Sequence, residues 1–159
     1  MLAEAEKWIG KLPYPPGDYS HGTGVAALAA GHKLHEGMEA DCSGYVWAMM
    51  KLSGYKVGAP FNTWSMEADA KGAHHWFKQI SQKDTRAGDI VVVNAGGEGH
   101  TAILREHFHG DPHSSGNTTK IVNDGGCESN ANNNLFGRSF YPGCAGGRVT
   151  FMRPVGRHK

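Results

Sequence analysis

The sequence predicts an α+β domain in which helices come first and an antiparallel β-sheet follows. Up to residue 71 the apolar side chains recur at helical spacing. Runs rich in β-branched residues are confined to positions beyond 76, and Gly, Asp or Pro turns bound them. At 159 residues, with no internal repeat and no linker, the chain reads as a single domain over residues 1–159.

The elements follow in order. Residues 1–11 read as a helix ended by Lys11-Leu12-Pro13, and Tyr14-Pro15-Pro16-Gly17 as a turn. Residues 18–40 are rich in Gly, His and Ala, with a short helix over Gly24–Ala30. A helix starts at Cys42, because Tyr45, Val46, Met49, Met50 and Leu52 follow helical spacing and Gly54 is a stop. Residues 62–71 form the next helix, capped by Asn62 or Thr63. Trp76–Ile80 alternates like a strand, and Arg86-Ala87-Gly88-Asp89 turns into Ile90–Val93, a β-branched run suited to a buried strand. His100–Arg105, Lys120–Asn123 and Arg148–Arg153 complete the sheet before Pro154. Two stretches fit no regular element. His107–Thr119 reads as a long polar hairpin loop, and Asp124–Gly147, rich in Gly and Asn, as a mostly irregular insert.

Charge and hydropathy exclude two classes of partner. A net charge of +1 and a pI near 7.8 give no bulk attraction to nucleic acid. No apolar run is long enough to span a bilayer, and Met1–Trp8 reads as the start of an amphipathic helix rather than a secretion signal. Cys127 and Cys144, in the Gly- and Asn-rich stretch, could pair with each other and leave Cys42 free, a link of roughly 3 kcal/mol in the chain-entropy model.

The chemistry concentrates on two segments. In Asp41-Cys42-Ser43-Gly44 a cysteine stands at the mouth of a helix, where unpaired N–H groups and the dipole favour the nucleophilic thiolate. In Gly99-His100-Thr101-Ala102-Ile103-Leu104 a histidine opens an apolar strand, and the glycine before it suggests close approach of another segment. A Cys on a helix start followed by a His on a strand is the papain-like order. The bland alternative is a buried core cysteine and a strand histidine with a satisfied ring. The polar flanks Asp41 and Ser43, which packing does not ask for, favour chemistry, although Ser43 could be only a helix-cap partner.

Together these pieces resemble the NlpC-type cell-wall cysteine peptidases, a papain-like family that cuts peptidoglycan stem peptides. The matching segments are Lys11-Leu12-Pro13-Tyr14 with Gly17, Asp41-Cys42-Ser43-Gly44-Tyr45-Val46, Arg86-Ala87-Gly88-Asp89-Ile90 and Gly99-His100-Thr101-Ala102-Ile103. The resemblance implies a papain-like fold, N-terminal helices on a central antiparallel sheet. It implies Cys42 as nucleophile and His100 as general base and then acid, with a third polar residue on the next strand to orient the imidazole. That residue is Asn123, with Asp124 the competitor, since a one-residue slip turns the opposite side chain inward. Tyr14 resembles the tyrosine that lines the site. Asp41 and Ser43 resemble the residues that bind the free amine of a terminal L-Ala. The chain departs from the family where Pro15-Pro16-Gly17 follows the tyrosine, and in its long Gly17–Asp41, post-His100 and post-Asn123 segments, all of which affect the rim of the cleft.

Further histidines lie at positions 32, 35, 74, 75, 107, 109 and 113. The His-x-His spacing at 107 and 109 matches no zinc signature, so these read as loop histidines and no metal is expected. Asn123-Asp124-Gly125-Gly126 lacks the carboxylates of a calcium loop. The expected function is stem-peptide hydrolysis through an acyl-enzyme, which needs no cofactor, at the bond after γ-D-Glu. An N-acetylmuramoyl-L-alanine amidase with the same dyad, and a catalytically silent wall-binding module, are the alternatives. The expected partners are peptidoglycan stem peptides and an inhibitor or immunity protein, with the chain a monomer and no nucleic acid or membrane insertion. The expected place of action is the cell wall, reached by secretion, from the periplasm, or by phage or effector delivery.

Overall fold

Hydrophobic periodicity becomes four N-terminal helices in the computed structural model, which describes residues 1–17, 20–141 and 143–156. They are α1 (Leu2–Lys7), α2 (Thr23–Ala29), α3 (Cys42–Leu52) and α4 (Thr63–Lys71). The first is shorter than its sequence pattern, because turns take over from Trp8. Asn62 is the cap of α4: its side chain accepts from Ser65 N at 2.8 Å while the Ser65 hydroxyl accepts from Asn62 N, a reciprocal capping box.

Beyond α4 the chain builds β1 (Phe77–Ile80), β2 (Ile90–Ala95), β3 (Glu98–Leu104), β4 (Lys120–Asp124), β5 (Ala131–Leu135) and β6 (Arg148–Pro154), with a short helix α5 (Phe136–Phe140) before the last. Gln82–Asp84 makes a single 3-10 turn that the sequence pattern does not announce. All neighbouring strands pair antiparallel, in the order β1-β6-β2-β3-β4-β5. The Ala87-Gly88-Asp89 turn fastens β2 to β6. Asp89 accepts from Arg86 N and takes a two-pronged ion pair from Arg153 on β6, both arms 2.8 Å. Asp69, at the end of α4, accepts three backbone N–H groups of His75, Trp76 and Phe77 and so fixes the entry to β1.

Two apolar layers sandwich this sheet. Tyr45, Val46, Trp47, Met49 and Met50 of α3 pack with Ile90, Val92, Ile103, Val122 and Met152 on the helix face. The opposite face carries Val91, Val93, Ala102, Leu104, Ile121 and Phe151, covered by Phe108, Phe136, Phe140 and Tyr141. The second cover comes from the two stretches expected to be irregular. The 107–119 loop does lack regular elements, but residues 124–147 contain β5 and α5. The asparagines of β5 hide a strand because their side chains tie the preceding loop: Asn132 Nδ2 donates to Gly125 O at 3.1 Å and to Asn130 O at 2.7 Å. Ladder pairing with β4 then outweighs the low strand propensity of Asn.

Cys127 is exposed and Cys144 buried, and both are free thiols, so the pairing left open by the sequence is not formed. Cys127 instead receives bonds from Asn134 and Arg138, while Cys144 lies in the core layer under α5. Among the described residues no helix is long and apolar enough to cross a membrane.

One buried charge joins helix to sheet. The Glu67 carboxylate on α4 accepts from Asn94 Nδ2 at 2.8 Å, Lys71 Nζ at 2.9 Å and Arg148 Nε at 2.9 Å. Burial works to raise its pKa, but these donors outweigh burial and hold the carboxyl down at about 2. The folded value lies below the unfolded one, so the stabilisation is complete above the unfolded pKa and fades as pH falls from 4.5 toward about 2. Glu67→Gln should therefore lower urea stability at neutral pH by on the order of 3 kcal/mol. The gap to wild type should close on acidification. Urea melts from pH 7 to 2 check this, and a gap that does not change with pH would remove the carboxylate as its source.

Candidate active site

Cys42 is the first residue of α3, and the Asp41 side chain caps that helix by accepting from Gly44 N at 2.7 Å. Tight clearances fix this start. A Cβ at Gly44 would stand 2.6 Å from Asp41 Oδ1 and 2.7 Å from Val25, so α3 reaches its position beside α2 only with glycine there. At Gly99 a Cβ would meet Thr63 Oγ1 at 2.2 Å and Asn94 Oδ1 at 2.6 Å. That is the close approach the glycine before His100 suggested.

The β3–β4 ladder pairs only Ile103–Val122 and Leu104–Ile121. Toward the start of β3 the backbone is therefore released from β4, and the Thr101 backbone, next to His100, acts on the Cys42 thiol. The Ser43 backbone acts on it too, and both favour thiolate. Burial and then the Asp41 carboxylate act the other way and win, pushing the Cys42 thiol up to about 12. The helix-start argument for a depressed thiol pKa is corrected here: desolvation and the Asp41 charge outweigh the backbone groups that favour thiolate, and the resting sulfur keeps its proton.

His100 points to the other face of the sheet from α3. Its Nε2 lies 2.7 Å from Asn123 Oδ1 on β4 and 3.1 Å from Ser139 Oγ on α5, and the Ser139 hydroxyl also donates to Asn123 Oδ1. Phe140 meets the ring edge-on with centroids 4.6 Å apart. Burial holds the imidazole below the usual His range, with the Asn123 bond and the Asp41 charge opposing. Nε2 is thus the engaged nitrogen of the ring.

Asn123 and Asp124 part company by strand alternation. Asn123 faces His100, whereas Asp124 faces the helix side, where burial and then Asp41 push its carboxyl up to about 9. Both of its oxygens are buried, and among the described residues neither has a hydrogen-bond partner.

Two adjoining cavities meet at Tyr14, Glu98 and Gly99. One, of about 650 Å³, contains Cys42, Asp41, Ser43, His21, Asn62 and Thr63. The other, of about 490 Å³, contains His100, Ser139, Phe140, Cys144, Gly125 and Glu128. Tyr14 reaches the junction because the Pro13 segment bridges to Asn130 and Tyr14 N donates to Ser129 O at 2.8 Å. Five of the six residues singled out from sequence thus line this double cavity, and Asn123 stands behind the histidine. Sequence reasoning missed His21 and Ser139. His21 Nδ1 contacts Asp41 Oδ1 at 2.9 Å and Oδ2 at 3.2 Å, and that bond raises its pKa against burial. Neither residue carries a local signal, because each depends on tertiary contact.

The loop histidines are in local bonds: His107 Nδ1 with Thr85 O at 2.8 Å, and His109 Nε2 with Glu106 at 3.0 Å. Among the described residues no group of three or more His, Cys, Asp or Glu is placed to hold a metal.

A thiol on the first turn of a buried helix, beside a strand whose histidine is held by a neutral amide, is a layout that thiol hydrolases use. The model of the NlpC/P60 family matches residues 18–132, and the chain belongs to that family. The family consists generally of cysteine peptidases that act on peptidoglycan, so membership implies a cell-wall hydrolase. No curated protein matches the chain.

Asp124 supplies a test of the site's electrostatics. Its folded pKa of about 9 exceeds the unfolded 3.8, so the native state holds an extra proton between those values and loses stability as pH rises through them. Asp124→Asn removes that loss. Its melting temperature relative to wild type should climb steadily from about pH 4 to about pH 9 in thermal melts. A difference that is flat across that range would mean Asp124 is ionised in the folded protein.

Proposed function

We propose that the protein is a cysteine endopeptidase that cuts peptidoglycan stem peptides at the γ-D-Glu–diamino acid bond through an acyl-enzyme. The observation that carries this reading is the engagement of His100 Nε2 by Asn123 beside the buried start of α3. His100 Nδ1 takes the Cys42 proton as the sulfur attacks the scissile carbonyl, then delivers it to the leaving amine. Water attacks the resulting thioester, with the same imidazole as base, and releases the acid product. Asn123 acts through His100, holding its ring. N–H groups at the α3 start are the donors for the oxyanion, a contribution of about 3 kcal/mol per donor in comparable sites.

A neutral resting thiol and an imidazole held below its usual range suit general-base activation at the moment of attack. Asp41, Ser43 and Tyr14 share the cavity of Cys42, which supports their assignment to the free amine of the acyl portion. Asp41 Oδ1 serves the helix cap and the shorter His21 contact while Oδ2 has only the longer one, so Oδ2 is the oxygen better placed for an incoming ammonium. The cavity beside His100 then takes the leaving amine and its side chain. This reading sets the place of action at the wall.

Defined muropeptides analysed by mass spectrometry test it. Wild type should release the dipeptide ending in D-Glu, and Cys42→Ala should abolish release without altering the fold seen by circular dichroism. Asp41→Asn should raise KM for substrates with a free L-Ala amine more than it lowers kcat. Cleavage at the lactyl amide would make the protein an amidase, and binding without cleavage by wild type would make it a silent module. The acid limb of kcat/KM should lie below pH 6.5, the ordinary His value, because burial lowers the pKa of His100. A limb above 6.5 would contradict the base assignment.

A further inference from the structure

The histidine network includes a side chain beyond position 132, where the family match ends. Ser139 sits on α5, and its hydroxyl donates to Asn123 Oδ1 while its oxygen stands 3.1 Å from His100 Nε2. The Asn123 amide has one sensible orientation in these surroundings. Its Nδ2 faces the carbonyl oxygen of Asn132 at 3.4 Å, a group that can only accept. Oδ1 therefore faces the ring and the hydroxyl and receives a hydrogen from each. Under that arrangement Nε2 carries the ring hydrogen and Nδ1 keeps its lone pair.

The geometry points to Ser139 as a positioning residue that fixes the Asn123 amide and, with it, holds His100 in the tautomer whose Nδ1 can accept the thiol proton. This rests on Cys42 and His100 being nucleophile and base. Two further observations seat the hydroxyl. Gly126 lies against it, so that a Cβ there would stand 2.4 Å from Ser139 Oγ. The next residue, Phe140, packs edge-on to His100 and stacks on Phe136 at 4.5 Å, which in turn meets Phe108 at 4.8 Å. A five-residue helix is thus braced by an aromatic cluster rather than by its own hydrogen bonds. The remaining titratable neighbours are Asp41, whose charge reaches His100, and Tyr14, Glu98, Glu128 and Cys144, which line the same cavity. All five are present in every variant below.

Ser139→Ala and Ser139→Thr, each with Cys42 intact and again in a Cys42→Ala background, test the assignment. With Cys42 intact, Ser139→Ala should lower kcat about tenfold, the size of one hydrogen bond to a charged group, with KM within about twofold of wild type. Ser139→Thr, which keeps the hydroxyl, should recover most of that loss. In the Cys42→Ala proteins, nitrogen-15 NMR of the imidazole should show Nε2–H as the dominant tautomer. Ser139→Ala should add Nδ1–H tautomer and make the ring titrate at lower pH, because the imidazolium has lost an acceptor. An unchanged tautomer and titration in Ser139→Ala would overturn the assignment, whether or not kcat falls. The alanine variant only removes atoms, so it carries the test even if threonine crowds Gly126. Wild type that cleaves no stem peptide would sink the enzyme reading, while the imidazole spectra would still decide the role of Ser139.

Discussion

The first turn of α3 is buried against the opened edge of β3, and most of the molecule's arrangement serves that contact. A helix end carries unpaired N–H groups, and burying it requires partners for them. Asp41 supplies one by accepting from Gly44, and the Thr101 and Ser43 backbones act on the Cys42 thiol. Gly44 lets α2 lie close, and Gly99 lets Thr63 and Asn94 lie close. Larger residues at either glycine would push the thiol away from the strand that carries His100. The sheet therefore has to part there, and the short β3–β4 ladder is where it does so.

The opposite face of the sheet solves a different problem. His100 emerges on it, so an imidazole and an amide must be enclosed without leaving polar atoms unpaired. The aromatic layer of Phe108, Phe136 and Phe140 excludes water, and Ser139 and Asn123 satisfy the ring nitrogen inside that layer. The 107–119 loop holds this cover in place through Asn117, whose side chain bridges His109 O and Asp111 O while Thr119 N donates to it. Gly137 N and Phe136 N then donate back to Asn117 O and Thr119 O. The loop and the insert are thus one structural unit.

This division explains what was legible in the sequence. Cys42, His100 and Asn123 were readable because helical spacing, a glycine before a strand and strand alternation are local signals. The helix-and-sheet order followed from the same periodicities. By contrast β5 was hidden, since Asn132, Asn133 and Asn134 look like loop residues until Gly125 and Asn130 take the Asn132 amide and Cys127 takes that of Asn134. Ser139 and His21 were silent for the same reason: each matters through long-range hydrogen bonds. The expected thiolate failed because the dipole argument is local, whereas the desolvation that defeats it depends on everything packed around the sulfur.

Desolvation also gives the site its electrostatic character. Cys42, His100 and Asp124 are all buried, and each is pushed toward its neutral form. The Asp41 carboxylate is the charge common to all three, raising the thiol, the imidazole and the second carboxyl alike. In surroundings of low polarisability a single carboxylate acts over a longer range than it would in water. It favours a cation, and in the free protein His21 occupies both of its oxygens. An ammonium brought by a substrate would take over part of that role and offset the negative field at the sulfur. Under the proposed function, the thiolate would then be easier to form with substrate bound than without it, and recognition of the amino end would be coupled to activation of the sulfur.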